Sequence, residues 1–366
     1  MNVDGVAYRS IWINNDGWSV DVIDQTRLPH AFEVRNLQSL DDACAAIRDM
    51  VVRGAPLIGT TAAYGYYLAL CDDPSDKGVE HAYQKLFETR PTAVNLRWAL
   101  DLVKVKTATL SPSERAAMAF SQADKIAELD VITNQSIGAH GLELIENIAL
   151  EKQPGESVNI LTHCNAGWLA TVDWGTATAP IYMAHNAGIS VHVWVDETRP
   201  RNQGASLTAW ELGHHGVPHS LIVDNLGGHL MQQGMVDLCL VGSDRTTRSG
   251  DVCNKVGTYL KALAAKDNDV AFYVCLPSTT IDWTISNGIR EVPIEQRDAT
   301  EVSQVIGKLS SGDIDHVTIT PDGTGVVNYA FDVTPARLIT GLITERAIVK
   351  ATENDLTSNF PEHSSN

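Results

Sequence analysis

The run Val158-Asn-Ile-Leu-Thr-His-Cys-Asn-Ala-Gly167 decides how the rest of this chain is read. Its first half is apolar and β-branched, its middle is polar, and it closes on small residues and a glycine. That order predicts a buried strand running out into a tight turn and a helix start. A cysteine at such a turn meets the outward-pointing N–H groups of the next helix. Their positive end predicts a thiol lowered from its ordinary ~8.5 toward thiolate, which makes Cys164 the first candidate for chemistry. The plainer reading, a buried structural thiol, suits Cys239 and Cys275, which lie inside apolar runs.

On the C-terminal side, further apolar runs occur at 190–195, 220–223, 238–241, 271–276 and 316–320, most of them separated by helical segments. Such alternation predicts an α/β fold with a parallel sheet covered on both faces. Ligands of these sheets bind beyond the carboxyl ends of the strands. The residues there are Cys164-Asn165, Asp196-Glu197-Thr198-Arg199, Asp224-Asn225, Ser243-Asp244-Arg245, Pro277-Ser278-Thr279 and Pro321-Asp322. One rim thus collects a thiol, carboxylates and arginines, and nothing local ranks Asp244 above Asp224. Two loops add anion-binding potential: Thr198-Arg-Pro-Arg-Asn-Gln-Gly204 before a helix at 205–212, and Gly250-Asp-Val-Cys-Asn-Lys255 before a helix at 256–265.

On the N-terminal side, runs 10–13 and 18–23 flank Asn15-Asp-Gly17, a hairpin signal. Ser39 with Asp42, and Ser111 with Glu114, are capping boxes that open helices. Between them, Met50-Val-Val-Arg-Gly-Ala-Pro56 places Arg53 and Gly54 just before a helix running to Cys71, and Arg90-Pro91-Thr92 repeats the construction. A guanidinium, a flexible backbone and free N–H groups make a phosphate cradle, although one such run is also an ordinary loop-to-helix junction. The helical pattern from Ser111 to about Ile148 carries an expected junction at Asn134-Gln-Ser-Ile-Gly138. The polar stretch 151–156 marks the expected boundary between a domain at 1–152 and one at 153–366.

Composition bounds the function. With 366 residues, 44% hydrophobic and 20% charged, the chain has the make-up of a globular protein with two sizeable cores. A formal net charge of -18 speaks against nonspecific attraction to nucleic acid or anionic lipid. The six cysteines form no CxxC pair, which fits reduced thiols in the cytoplasm. No apolar run is long enough for a membrane span, and neither GxGxxG nor GxxxxGKS/T occurs. The 12 histidines show no metal-ligand spacing, so no metal is expected.

Met50-Val-Val-Arg-Gly-Ala-Pro56, Arg90-Pro-Thr-Ala-Val-Asn-Leu96, Leu161-Thr-His-Cys-Asn-Ala-Gly167, Glu197-Thr-Arg-Pro200, Leu207-Thr-Ala-Trp-Glu-Leu212, Gly242-Ser-Asp-Arg245, Gly250-Asp-Val-Cys-Asn-Lys255 and Phe331-Asp-Val-Thr-Pro335, in this order, resemble the methylthioribose-1-phosphate isomerase family. That family is grouped with ribose-1,5-bisphosphate isomerases and regulatory subunits of the initiation-factor exchange complex. The resemblance spans nearly the whole chain. It implies a Rossmann-like C-terminal domain behind a smaller N-terminal α+β domain of a short antiparallel sheet plus helices. It also implies a cytoplasmic homodimer in methionine salvage, with a sugar phosphate as substrate and no cofactor. Position by position, it gives Cys164 and Asp244 as the catalytic pair, and Arg53, Gly54, Ala55, Arg90, Gln203, Asn254 and Lys255 as substrate-binding residues. An isomerase of 5-deoxyribose 1-phosphate or ribose 1,5-bisphosphate, or a noncatalytic regulatory subunit, are the alternatives it leaves. Ser243, Thr246-Thr-Arg-Ser249 and Tyr329 depart from the family's usual residues.

Overall fold

A computed structural model describes residues 1–364. The N-terminal part is a three-stranded antiparallel sheet, Ile11–Ile13, Val20–Ile23 and Val34–Leu37, followed by five helices. These are α1 (Leu40–Arg48), α2 (Ala55–Asp72), α3 (Asp76–Phe87), α4 (Val94–Thr107) and α5 (Pro112–Glu151). The hairpin and both helix starts fall where the sequence puts them: Ser111 and Glu114 form the capping box, whereas Ser39 accepts from Asp42 N but the Asp42 carboxylate reaches Gln38 N in place of Ser39 N. Helix α2 is buried on nearly every face and sits at the centre of this half. That is why its apolar residues run all the way round the helix and not along a stripe.

Beyond α5 lies a seven-stranded sheet in the spatial order 348–349, 341–343, 271–275, 238–241, 158–162, 191–196, 219–222. All strands are parallel except the edge strand Ile348–Val349. Numbered along the chain, the six parallel strands read 3-2-1-4-5-6, a Rossmann-like order. The core is on both faces. Ile160, Leu238 and Leu240 pack on one side with Ile181 and Tyr182 of α6 (Ala179–Asn186) and with Ile137 and Ile145 of α5. Their neighbours Leu161, Cys239 and Val241 pack on the other with α8 (Leu226–Gln232) and α9 (Thr258–Asp267). Side chains alternate along a strand, so burial on both faces demands the unbroken apolar runs seen in the sequence. α7 (Ala209–His215) follows a single wide turn of π-type helix, Gly204–Thr208.

A smaller four-stranded sheet stands on the carboxyl rim of the large one, in the order 281–282, 245–247, 252–255, 331–334. Its strand Val252–Lys255 pairs antiparallel with Phe331–Thr334. The expected loop at 250–255 is therefore largely strand, and the following helix starts at Thr258, not Val256.

Two further expectations are corrected. The run 316–320 is not a strand of the parallel sheet: Ile314–Thr318 pairs with Gln304–Lys308 in an exposed hairpin. The sixth parallel strand is the three-residue Gly341–Ile343, too short to announce itself by pattern. The expected junction at 134–138 is uninterrupted helix α5. There Gly138 and Gly141 allow close approach: a Cβ at Gly138 would lie 2.8 Å from Met183, and one at Gly141 2.4 Å from Pro180. The glycine reads as a break in sequence and serves as a packing surface in three dimensions.

Candidate active site

The Rossmann-like order has a switch point between strands Val158–Thr162 and Leu238–Val241, where successive connections leave in opposite directions. A crevice opens there at the carboxyl ends. Cys164 follows the first of these strands and Asp244 follows the second. Both line one small cavity with Arg53, Gly54, Ala55 and Asn254.

Cys164 takes a left-handed backbone, φ 65°. An L-residue there is strained by roughly 1–2 kcal/mol, so the surroundings must impose it. They do: Cys164 N donates to Thr198 Oγ1 at 2.8 Å, and Thr208 Oγ1 donates to Cys164 O at 2.6 Å. The thiol itself donates to Gln203 Oε1 at 3.3 Å. No helix starts immediately after this turn; the next element is a single 3-10 turn at Trp168–Ala170. The expected helix-end lowering of the thiol is thus absent. Burial pushes the Cys164 thiol up, opposed by the cations Arg53 and Lys255.

Arg53 comes from the turn before α2. Its Nη1 donates to Asn165 Oδ1 at 2.6 Å, while its buried Nε has no partner among the described residues. Gly54 has φ 96°, and a Cβ there would sit 2.4 Å from the Ala170 carbonyl oxygen, so only glycine lets this turn close against the cysteine loop. Ala55 opens α2 with no side chain capping its first N–H groups.

Asp244, Asn254 and Lys255 come from the small sheet. The Asp244 carboxylate makes no side-chain hydrogen bond among the described residues; only its backbone N is tied, to Cys253 O at 3.0 Å. Enclosure by protein raises its carboxyl, against the pull of Lys255, Arg53 and Arg90. Asn254 Nδ2 donates to Thr258 Oγ1 at 3.0 Å. Lys255 is buried with Nζ 5.1 Å from the centre of the Phe331 ring, and no carboxylate pairs with it among the described residues. Burial lowers its ammonium, and Cys164 and Asp244 counter that.

Arg90 and Gln203 reach the same place from either side. Arg90 shares a second small cavity with Ala55 and Asp244; its Nη2 donates to Glu295 at 3.0 Å and its buried Nε is unpartnered among the described residues. Gln203 and Arg53 border a third cavity of about 330 Å³, lined also by Leu28, Met50, Leu207 and Ile306. All nine candidate residues therefore converge on the switch point. The expected anion site at the N-terminus of α9 does not exist as such, because Asp332 already accepts from Gly257 N and Tyr259 N, at 2.7 and 3.1 Å.

Residues that sequence reasoning passed over hold this site together. Asn165 bridges Arg53 and Thr208. Glu211 of α7 is buried beside Leu169 N, and burial pushes it up to about 7. A Cβ on Gly167 would overlap its Oε1 at 1.4 Å, so the glycine that ends the motif makes room for this carboxyl. His163, Asp196 and Asp224 place ligand-type atoms within 4.8 Å of one another. That cluster is already served by a protein cation: Lys261 Nζ lies 2.6 Å from Asp196 Oδ2.

Comparison with known proteins agrees with this geometry. The model of the initiation factor 2 subunit family matches residues 51–351. A methylthioribose-1-phosphate isomerase of Brucella anthropi is 61% identical over 364 residues, covering 100% of both chains. The crystal structure of 5-methylthioribose 1-phosphate isomerase from Pyrococcus horikoshii OT3 superposes with TM-score 0.83 at 37% identity, covering 97% of this chain and 96% of that one. A structure titled translation initiation factor eIF-2B, subunit delta, from A. fulgidus gives TM-score 0.79 at 36% identity, covering 97% of this chain and 100% of that one.

Proposed function

The chain belongs to the initiation factor 2 subunit family and, within it, to the methylthioribose-1-phosphate isomerases, and on that premise we propose that it converts 5-methylthioribose 1-phosphate to 5-methylthioribulose 1-phosphate in methionine salvage. The observation that carries the reading is the placing of Cys164 and Asp244 on opposite sides of the switch point, in one cavity edged by Arg53.

The substrate is an aldose locked in its ring by the phosphate on C1. Isomerisation must open the ring and move hydrogen from C2 to C1. In the resting site the thiol is the favoured form of Cys164. Passing its proton to Asp244, whose acid form is favoured by enclosure, creates a thiolate and a carboxylic acid beside the cations Lys255 and Arg53. The Asp244 acid protonates the ring oxygen as the C1–O bond breaks. The Cys164 thiolate takes the C2 proton, giving an enol phosphate. Cys164 then gives a proton to C1, and Asp244 accepts the proton of the C2 hydroxyl, which leaves the ketose phosphate with Cys164 as thiolate and Asp244 as acid; return of that proton from Asp244 to Cys164 restores the resting pair. The unpartnered Nε groups of Arg53 and Arg90 are donors suited to the phosphate. The 330 Å³ cavity beside Arg53 and Gln203 is the space for the C5 arm. Its apolar wall of Leu28, Met50 and Leu207 suits a methylthio group. Arg201 at its edge is paired with Glu301 and so is not free for a second phosphate.

We take the active form to be a cytoplasmic homodimer, on the family resemblance, with its domains dividing at 152/153, just past the end of α5. No described helix is long and apolar enough to cross a membrane. The test is ketose formation from methylthioribose 1-phosphate, 5-deoxyribose 1-phosphate and ribose 1,5-bisphosphate, run in deuterated water. The expected result is preference for the first and deuterium at C1 of the product. Turnover of ribose 1,5-bisphosphate alone would reassign the substrate. No turnover of any, with capture into a complex of related subunits, would support a regulatory role.

A further inference from the structure

Directly before the cysteine, His163 is almost wholly buried, at 1% exposure. Its Nδ1 lies 2.8 and 2.9 Å from the two oxygens of Asp196, and its Nε2 lies 2.9 Å from the Val256 carbonyl oxygen. Both neighbours are acceptors. Each ring nitrogen is thus within hydrogen-bond distance of one of the two partners. Neither nitrogen is left for substrate.

The two bonds connect different parts of the site. Val256 directly follows Asn254 and Lys255 on the small sheet, whereas His163 belongs to the cysteine turn of the large one. Asp196 also accepts from Thr198 Oγ1 at 2.6 Å, and that same hydroxyl accepts from Cys164 N at 2.8 Å. One carboxylate thus holds both His163 and the left-handed Cys164. Burial would raise that carboxyl, but His163 and Lys261 outweigh it and hold it down to about 2. The other charged groups facing the cluster are engaged in their own bonds. Asp224 accepts from Thr198 N and Arg199 N, Asp332 accepts from Gly257 N and Tyr259 N, and Lys261 lies against Asp196. Gly257 completes the seat: with φ 105°, its position for a Cβ lies 3.2 Å from the His163 ring.

We propose that His163 is a positioning residue, a clamp held at both ring nitrogens that fixes the Cys164 turn against the strand bearing Asn254 and Lys255. The claim goes beyond the isomerase reading but rests on it for the activity readout. Its consequence is geometric: without the clamp the phosphate grip persists, while the thiol and Asp244 lose their register.

Two substitutions separate the two bonds. His163→Asn keeps a donor near the Nδ1 position and drops the reach to Val256. His163→Gln extends a donor toward Val256 and gives up the bond to Asp196. The expected result for His163→Asn, folded by melting temperature and sizing, is a kcat lower by about 10- to 100-fold with KM within about threefold. His163→Gln should recover part of that loss. An unchanged kcat in folded His163→Asn, or a KM that rises as much as kcat falls, would overturn the proposal. A second measurement needs neither variant to be active. A crystal structure of folded His163→Asn should show the Cys164 turn displaced from the strand bearing Asn254 and Lys255. An unmoved turn would overturn the clamp. If wild-type protein turns over none of the three sugars, the isomerase reading fails and that structure alone decides the clamp.

Discussion

Asp224 follows the strand His219–Ile222 and Asp244 follows the strand Leu238–Val241, two places along one rim of the same sheet. Each is the first carboxylate past an apolar run, and in the sequence they look alike. In the fold, Asp224 stands past the edge strand, and its two oxygens accept from Thr198 N and Arg199 N, both at 2.8 Å. It holds a loop in shape. Asp244 stands beside the switch point, with no side-chain hydrogen bond among the described residues and three cations around it. A carboxylate with its lone pairs satisfied by backbone is a fixed acceptor; one enclosed by protein without such bonds can change its proton. The difference comes from strand order, which brings the ends of the first and fourth parallel strands together and leaves the third at the margin.

The largest effect that sharpens this contrast is at the thiol. Cys164→Ser should lower kcat by about 10³-fold or more, because a serine hydroxyl is a far weaker base near neutral pH. Substrate affinity by calorimetry should stay within a few-fold. Near-normal turnover would remove Cys164 from the chemistry and with it the reason to favour Asp244.

Arg53→Ala comes next. Its loss should weaken substrate binding by about 1.5–3 kcal/mol, the worth of a charge-assisted contact, seen mainly in KM. An unchanged KM would mean that the unpartnered Nε does not face the phosphate.

The third concerns stability. Glu211 is buried, and its carboxyl is pushed up from 4.5 to about 7. The folded state therefore prefers the protonated form. The penalty is absent below about pH 4.5, grows as pH rises, and is complete above about pH 7. Glu211→Gln should be as stable as wild type near pH 4.5 and more stable by a few kcal/mol, roughly 3 at most, at pH 8. Denaturant melts at both pH values check this, and a difference that does not change with pH would contradict it. This carboxyl lies behind Asn165, so the comparison extends to a third acid near the rim whose environment, not its sequence neighbours, sets its proton.

Much of this was legible beforehand. Five runs of the parallel sheet, the hairpin and the helix starts at Ser39 and Ser111 depend on local pattern, and Cys164 on the change of texture after its strand. Rank among the rim aspartates was not legible, since it depends on which strands become neighbours. Lys255 reads as part of an anion loop because, in its strand, the local partner Arg245–Thr247 reaches only Val252 and Cys253, and Lys255 itself pairs with Phe331, some 75 residues later. The exposed hairpin at 304–318 carries β-branched residues without burial, so its composition mimics a core strand. His163 and Glu211 give no local signal at all; their partners, Asp196 and Val256 for one and Leu169 N for the other, come from distant turns.

The most direct test of the central claim places Asp244→Asn and Asp224→Asn side by side, each assayed for ketose formation from methylthioribose 1-phosphate per folded molecule. The account predicts that Asp244→Asn loses turnover by about 10³-fold while still binding substrate. Asp224→Asn should lose melting temperature, with a kcat decline at least ten times smaller. Equal losses, or near-normal turnover in Asp244→Asn, would contradict the assignment of the chemistry to the switch point.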